Sequence, residues 1–368
     1  MDEFLSYFSA DYNDARARFL AAAQARGAVV THHQNPVTGP TGARLWTDVT
    51  AIGPPRASRR LLVVSATHGA EGFCGSGIEV GLLAASPPLD LPPDTRLVLI
   101  HAINPYGFAW LRRVTEDNVD LNRNFVDHDA GRYPENPGYE SLAAALVPER
   151  WDPESRAATG EILRQYGETH GLFGLQAAIS LGQYTHADGL FYGGRAPTWS
   201  RRTLEEAVAT LIDGAAHAAL IDLHTGLGPY GYGEPICVHA PGSEAHGRAK
   251  QWYGADVTSP YDGTADSANS TSAAITGHLN LGCEAAAPAT SWTSITLEFG
   301  TQPIDDVIDA LRADAWLHRH GDLDSELGRQ IKATLRATFY GDEHEWKQRI
   351  WSRGRDLVVA ALAGLSGQ

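Results

Sequence analysis

Three short runs of the sequence carry residue types that can hold and use a metal ion. The first, Thr67-His68-Gly69-Ala70-Glu71-Gly72, sets an imidazole and a carboxylate three residues apart at the end of the apolar run 60–67. The second, Ile221-Asp222-Leu223-His224-Thr225-Gly226, ends another apolar run on a histidine. Asp222 and His224 differ by two, so on a strand they share a face, where the aspartate can orient an imidazole. The third, Ile295-Thr296-Leu297-Glu298-Phe299-Gly300, sets a carboxylate inside an apolar strand. Imidazole and carboxylate donors suit a borderline cation such as zinc, and three protein ligands leave a position open for water. Each run also has a plainer reading. Glu71 can cap the next helix, His224 can be a hydrogen-bonded strand-end histidine, and Glu298 can sit in a buried ion pair with Arg112 or Arg113. A buried carboxylate is costly unless it has a partner or a task. With His68, Glu71 and His224 as ligands, Glu298 has a task as the base that takes a proton from water.

Between the first two runs, residues 101–125 bring together Arg112, Arg113, Asn122 and Arg123. A guanidinium presents a rigid donor fork that matches a carboxylate, and a second arginine near a metal can polarise a carbonyl. The competing reading is a surface loop with ordinary ion pairs to Glu116, Asp117 and Asp120. Residues 182–194, GQYTHADGLFYGG, form either a cleft wall or a structural turn. His186 and His239 fall outside the ligand set. A nucleophile at Cys74-Gly75-Ser76 lacks Gly-x-Ser-x-Gly spacing, and a helix start made of small residues explains the run.

The elements that must position these residues are legible as apolar runs. Strand-like segments occupy 28–33, 44–52, 60–67, 95–103, 217–223, 235–240 and 293–299, with helical patterns at 12–26, 73–85, 153–170 and 198–213. Three amphipathic helical segments follow residue 303. Strand 60–67, helix and strand 95–103 alternate as in a parallel, doubly wound sheet, whose sites gather at the carboxyl ends of strands. No linker forces a cut, so one domain over 1–368 is expected, with an insertion around 127–200.

Composition excludes several partners. Of 368 residues, 43% are hydrophobic and 20% charged, the balance of a folded globular chain. The net charge of −15, with no run of Lys or Arg beyond two, argues against nucleic acid. Three scattered cysteines make neither a disulfide framework nor a thiolate metal site. The acidic, amphipathic start has no signal-peptide pattern and no apolar stretch spans a membrane, so a cytoplasmic location is expected.

Taken in order, HGAE, NPYGF, DLNRNF, DLHTG and LEFGT resemble the M14-type zinc carboxypeptidases and their succinylglutamate desuccinylase and aspartoacylase relatives. HGAEGFCGSG, HAINPYGFAWLRR, NVDLNRNF, GQY with FYGG, and DLHTGLGPYG resemble the DUF2817 branch of that group, over about 60–300. The resemblance implies an α/β fold with a mixed, mostly parallel eight-stranded sheet flanked by helices. It implies one Zn2+ held by His68, Glu71 and His224, with Glu298 as general base. Asn122 and Arg123 fall where the family grips a substrate carboxylate, and the carbonyl-polarising arginine falls on Arg112 or Arg113, with Arg113 preferred. The implied activity is hydrolysis of an amide in a small peptide bearing a free carboxylate, or in an N-acyl amino acid. A non-catalytic metal- or ligand-binding module is the alternative of another class. Tyr184, Tyr192, Tyr253 and Tyr261 are candidates by region for the tyrosine that closes over substrate in such peptidases.

Overall fold

The computed structural model describes residues 3–261 and 270–368. Strands β1 (Val30–Thr38), β2 (Arg44–Ile52), β3 (Arg59–Val64), β4 (Thr95–His101), β5 (His217–Tyr230), β6 (Gly233–Ile236) and β7 (Ser291–Gly300) form one sheet, ordered β1-β2-β4-β3-β5-β7-β6. The central neighbours β4, β3, β5 and β7 run parallel, whereas β1, β2 and β6 pair antiparallel. The sheet is therefore mixed and seven-stranded, not the mostly parallel eight-stranded sheet expected. The apolar runs themselves mark seven strands; the eighth came only from the resemblance. Residues 39–43 join β1 to β2, a connection too short for the crossover that parallel neighbours need.

Alternation along the central strands builds two apolar layers. Leu61 and Val63 of β3, Leu97 and Leu99 of β4, and Ala219, Ile221 and Leu223 of β5 face one way. They pack with Phe19, Ile78 and Val358 from the helices Tyr12–Ala25, Gly72–Ala84 and His344–Ser366. Leu62 and Val64, Val98 and Ile100, and Ala218 and Leu220 face the other way, against Leu204, Val208, Leu279 and Cys283 of the helices Trp199–Leu211 and Leu279–Ala286. A strand covered on both faces needs apolar residues at every position, which is why these runs do not alternate in polarity. Each Val, Leu, Ile or Phe among them contributes about 1.5–3 kcal/mol on burial.

On β5 and β7 the second face changes character toward the carboxyl ends. Asp222, His224, Thr296 and Glu298 continue the rows begun by Ala218, Leu220 and Trp292. The stretch around 127–200 contributes the helices Pro137–Leu146 and Pro153–Ser180. Their Tyr139, Leu142 and Leu163 share an apolar cluster with Val307, Leu311 and Phe339 from the helices Ile304–His320 and Glu326–Phe339. Among the described residues, no helix is long and apolar enough to cross a membrane.

Candidate metal centre

The chain leaves β3 through Ala66, a non-glycine residue at φ 58°. That left-handed conformation costs an L-residue roughly 1–2 kcal/mol, and the surrounding bonds hold it. Asn104 N donates to Ala66 O at 3.2 Å, and Ser65 N to Ile100 O at 3.1 Å. The turn brings out His68, then Gly69, whose backbone lies against that of Gly107. A Cβ on Gly69 would stand 1.9 Å from the Gly107 carbonyl carbon, so no other residue fits there. The close approach lets Gly69 N and Ala70 N donate to the carbonyls of Arg113 (3.2 Å) and Arg112 (2.8 Å). The metal-type run and the arginine segment are thus one backbone unit. Glu71 stands at the N-cap position of the helix Gly72–Ala84, yet its side chain makes no capping bond. The helix-cap reading of Glu71 is overturned.

His224 lies inside β5 rather than at its end, because β5 continues to Tyr230 past a register shift after Gly226. In register, His224 sits directly opposite Glu298 of β7. Parallel pairing therefore delivers the second imidazole and the isolated carboxylate side by side.

His68, Glu71 and His224 are all buried, and together they form a group that could hold a metal ion. His68 Nδ1 lies 2.8 Å from Glu71 Oε1, His224 Nδ1 lies 3.0 Å from Glu71 Oε2, and the two Nδ1 atoms are 3.1 Å apart. Two donors on a tetrahedral zinc, each about 2.0–2.1 Å from the ion, stand roughly 3.3 Å apart, and the two Nδ1 atoms and the Glu71 carboxylate oxygens that face them approach that spacing. The outward nitrogens are tied to aspartates, His68 Nε2 to Asp120 at 3.1 Å and His224 Nε2 to Asp222 at 2.6 Å. Carboxylates in that place fix the ring orientation and raise ligand basicity. Asp222 in turn accepts from Thr67 Oγ1 at 2.7 Å.

Electrostatics favour a cation here. Burial alone would raise the Glu71 carboxyl, but the His68 and His224 charges hold it far below the usual carboxylate range. Burial would likewise depress His224, yet Asp222 and then Glu71 hold it well above an ordinary imidazole. Glu298 is pushed up to about 8, first by burial and then by the charge of Glu71. Its Oε1 accepts from Leu227 N at 2.9 Å, and among the described residues it forms no ion pair. The buried salt-bridge reading of Glu298 therefore fails. Two carboxylates facing one buried space repel each other, and a bound cation offsets that repulsion.

The two adjacent arginines part company. Arg113 Nη1 donates to Glu71 Oε1 at 3.1 Å and Nε to Asp120 Oδ2 at 2.9 Å, and the guanidinium lies over the Phe191 ring. Arg112 turns away, donating to Asp314 Oδ2 at 3.1 Å and Asn118 Oδ1 at 3.0 Å. Leu111, at φ 51°, closes the preceding helix and swings the chain so that successive side chains diverge. His68, Glu71, Arg113, Asn122, Arg123, His224 and Glu298 line one cavity of about 1060 Å³, and Arg112 does not. The expectation of Arg112 beside a substrate is corrected: it belongs to a buried cluster with Asp314 and Lys332.

Asn122 and Arg123 lie on the turn Leu121–Arg123, which Asp120 caps by accepting from Asn122 N. Asn122 Oδ1 accepts from Leu279 N at 2.8 Å, and Arg123 is held by the carbonyls of Ser180 and Asn122. No tyrosine lines the cavity among the described residues. Tyr184 donates to Arg123 O, Tyr261 to Ile275 O, and Tyr253 is buried in the layer on the opposite face of the sheet. His186 and His239 pair with Glu140 and Glu284, away from the cluster. Ser76 meets His101 at 2.9 Å, but both are buried and neither lines the cavity.

Sequence reasoning missed Asp120, His278 and Phe191 as parts of this site. Asp120 stood in a polar run where its acidity looked like a partner for loop arginines. Phe191 lay within the glycine- and aromatic-rich segment, which forms both a turn and part of the cavity wall.

Fold and cluster together define an α/β chain with a buried His-Glu-His group at one edge of a mixed sheet. The DUF2817 family profile, described as "Protein of unknown function (DUF2817)", matches residues 8–353, and the chain belongs to that family. No curated protein matches the sequence. Among solved structures, carboxypeptidase A from Helicoverpa armigera is similar at 15% identity, over 90% of this chain and 74% of that one, with a TM-score of 0.47. The succinylglutamate desuccinylase from Chromobacterium violaceum is similar at 16% identity, over 89% and 73%, with a TM-score of 0.34. The murein-tripeptide amidase from Escherichia coli O157 is similar at 15% identity, over 83% and 94%, with a TM-score of 0.36.

Proposed function

We propose that this chain is a zinc-dependent hydrolase of an amide bond in a small substrate bearing a free carboxylate, either a peptide or an N-acyl amino acid. The observation that carries the reading is the convergence of His68 Nδ1, His224 Nδ1 and the Glu71 carboxylate, with both outer ring nitrogens tied to aspartates. A zinc ion held there supplies Lewis acidity toward a carbonyl oxygen and acidifies water. Glu298, opposite His224 and steadied by Leu227 N, takes the proton of the attacking water and returns it to the leaving amine. Arg113 keeps Nη2 without a hydrogen bond among the described residues, and this donor stabilises negative charge growing on the carbonyl oxygen. Asn122 and Arg123 hold the substrate carboxylate.

The test is a screen of zinc-loaded protein against blocked dipeptides and N-acyl amino acids, each beside its carboxamide, read by mass spectrometry. The expected result is hydrolysis of free-carboxylate substrates, with the amides much poorer. Turnover blind to that carboxylate, or no turnover across the panel, contradicts the proposal.

A further inference from the structure

His278 belongs to the cavity wall but has no part in the chemistry assigned above. It is buried, and it caps the helix Leu279–Ala286, its Nδ1 accepting from Asn280 N at 3.3 Å. A ring nitrogen that accepts a backbone N–H carries no proton, so in the neutral ring the proton sits on Nε2. Among the described residues, that Nε2 makes no hydrogen bond.

The segment that carries His278 is built onto the proposed carboxylate grip. Gly277, at φ +81°, lies so close to Arg123 that a Cβ there would come within 2.4 Å of Arg123 O. Phe125 N donates to Gly277 O at 3.2 Å, and Leu279 N donates to Asn122 Oδ1 at 2.8 Å. The residues on both sides of His278 are therefore clamped to residues 122–125. With Oδ1 of Asn122 turned to Leu279 N, the NH2 group at the other end of that amide is left to donate.

We infer that His278 is a third donor of the carboxylate subsite, its Nε2–H acting beside the Asn122 amide and the Arg123 guanidinium. The inference rests on the reading of Asn122 and Arg123 given above. A cleft with one guanidinium and two neutral N–H donors binds a planar anion and rejects the carboxamide, whose own NH2 would meet donors.

The test uses zinc-loaded protein and two probes, 3-phenylpropanoate and its carboxamide, titrated by calorimetry. Binding is the readout, so a failure of catalysis does not obscure it. His278→Asn keeps a side-chain oxygen for the helix cap, but its shorter amide cannot reach where Nε2–H stood. Asn122→Ala serves as the reference for the subsite. We expect His278→Asn to melt close to wild type and to bind the carboxylate about 10- to 100-fold more weakly, with carboxamide binding little changed. Asn122→Ala should behave similarly. If Asn122→Ala weakens binding while His278→Asn does not, His278 is only a helix cap and the inference fails. If the wild type shows no preference for the carboxylate, or both variants bind it normally, the subsite itself is wrong and the inference falls with it.

Discussion

The cavity wall built on β3, β5 and β7 and the wall built on the helix Pro153–Ser180 are made by different means. On the strand side, His68, Glu71 and His224 are buried, Glu298 is partly buried, and each has a fixed partner. Sheet register sets their spacing, so one residue of slip would turn His224 or Glu298 to the opposite layer. On the helix side the lining mixes Leu163, Leu175 and Ile179 with Arg164, Glu168 and Gln176, and Leu172 and Phe173 are 81% and 63% exposed. They follow Gly171, whose backbone at φ 77°, ψ 163° breaks the helix in two. Rigid elements hold the reactive groups, while the peripheral wall is free to vary and to select what enters.

That contrast predicts graded effects. Glu298→Gln is nearly isosteric and keeps an oxygen for Leu227 N, so it should retain zinc while kcat falls by about 10²- to 10⁴-fold. Near-normal turnover would remove Glu298 from the chemistry. Asp222→Asn leaves the ligands in place but loses the charge behind His224, and zinc affinity should weaken about 10- to 100-fold in competition with a chelator. An unchanged affinity would mean that the aspartate does not support the ligand. Phe173→Ala, on the exposed wall, should leave zinc content untouched and shift KM by about two- to tenfold, most for substrates with large apolar groups. A loss of zinc in that variant would break the distinction between the two walls.

The strand side was far more legible in the sequence than its surroundings. Strands buried on both faces are largely apolar, so β3, β4 and the first half of β5 stand out, and a charged or imidazole side chain set among apolar neighbours, as on β5 and β7, stands out in turn. His68, Glu71, His224 and Glu298 could be read in this way. Asp120 could not, because its contact with His68 joins residues 52 positions apart through an irregular turn. Nor could the choice between Arg112 and Arg113, since a segment turned by a left-handed Leu111 has no period from which to read direction. His278 was hidden for a similar reason, its ring reaching the cavity from a helix cap in a polar stretch. The strand count shows the reverse case, where the apolar runs were right and the family analogy added one strand too many.

The central claim is that His68, Glu71 and His224 together hold zinc. The most direct test is the metal content of purified wild type and His224→Ala after zinc loading and gel filtration, with thermal melts to confirm that both are folded. The account predicts stoichiometric zinc in the wild type and near-complete loss in the variant. A folded His224→Ala protein that keeps its full zinc, or a wild type that retains none, would contradict it.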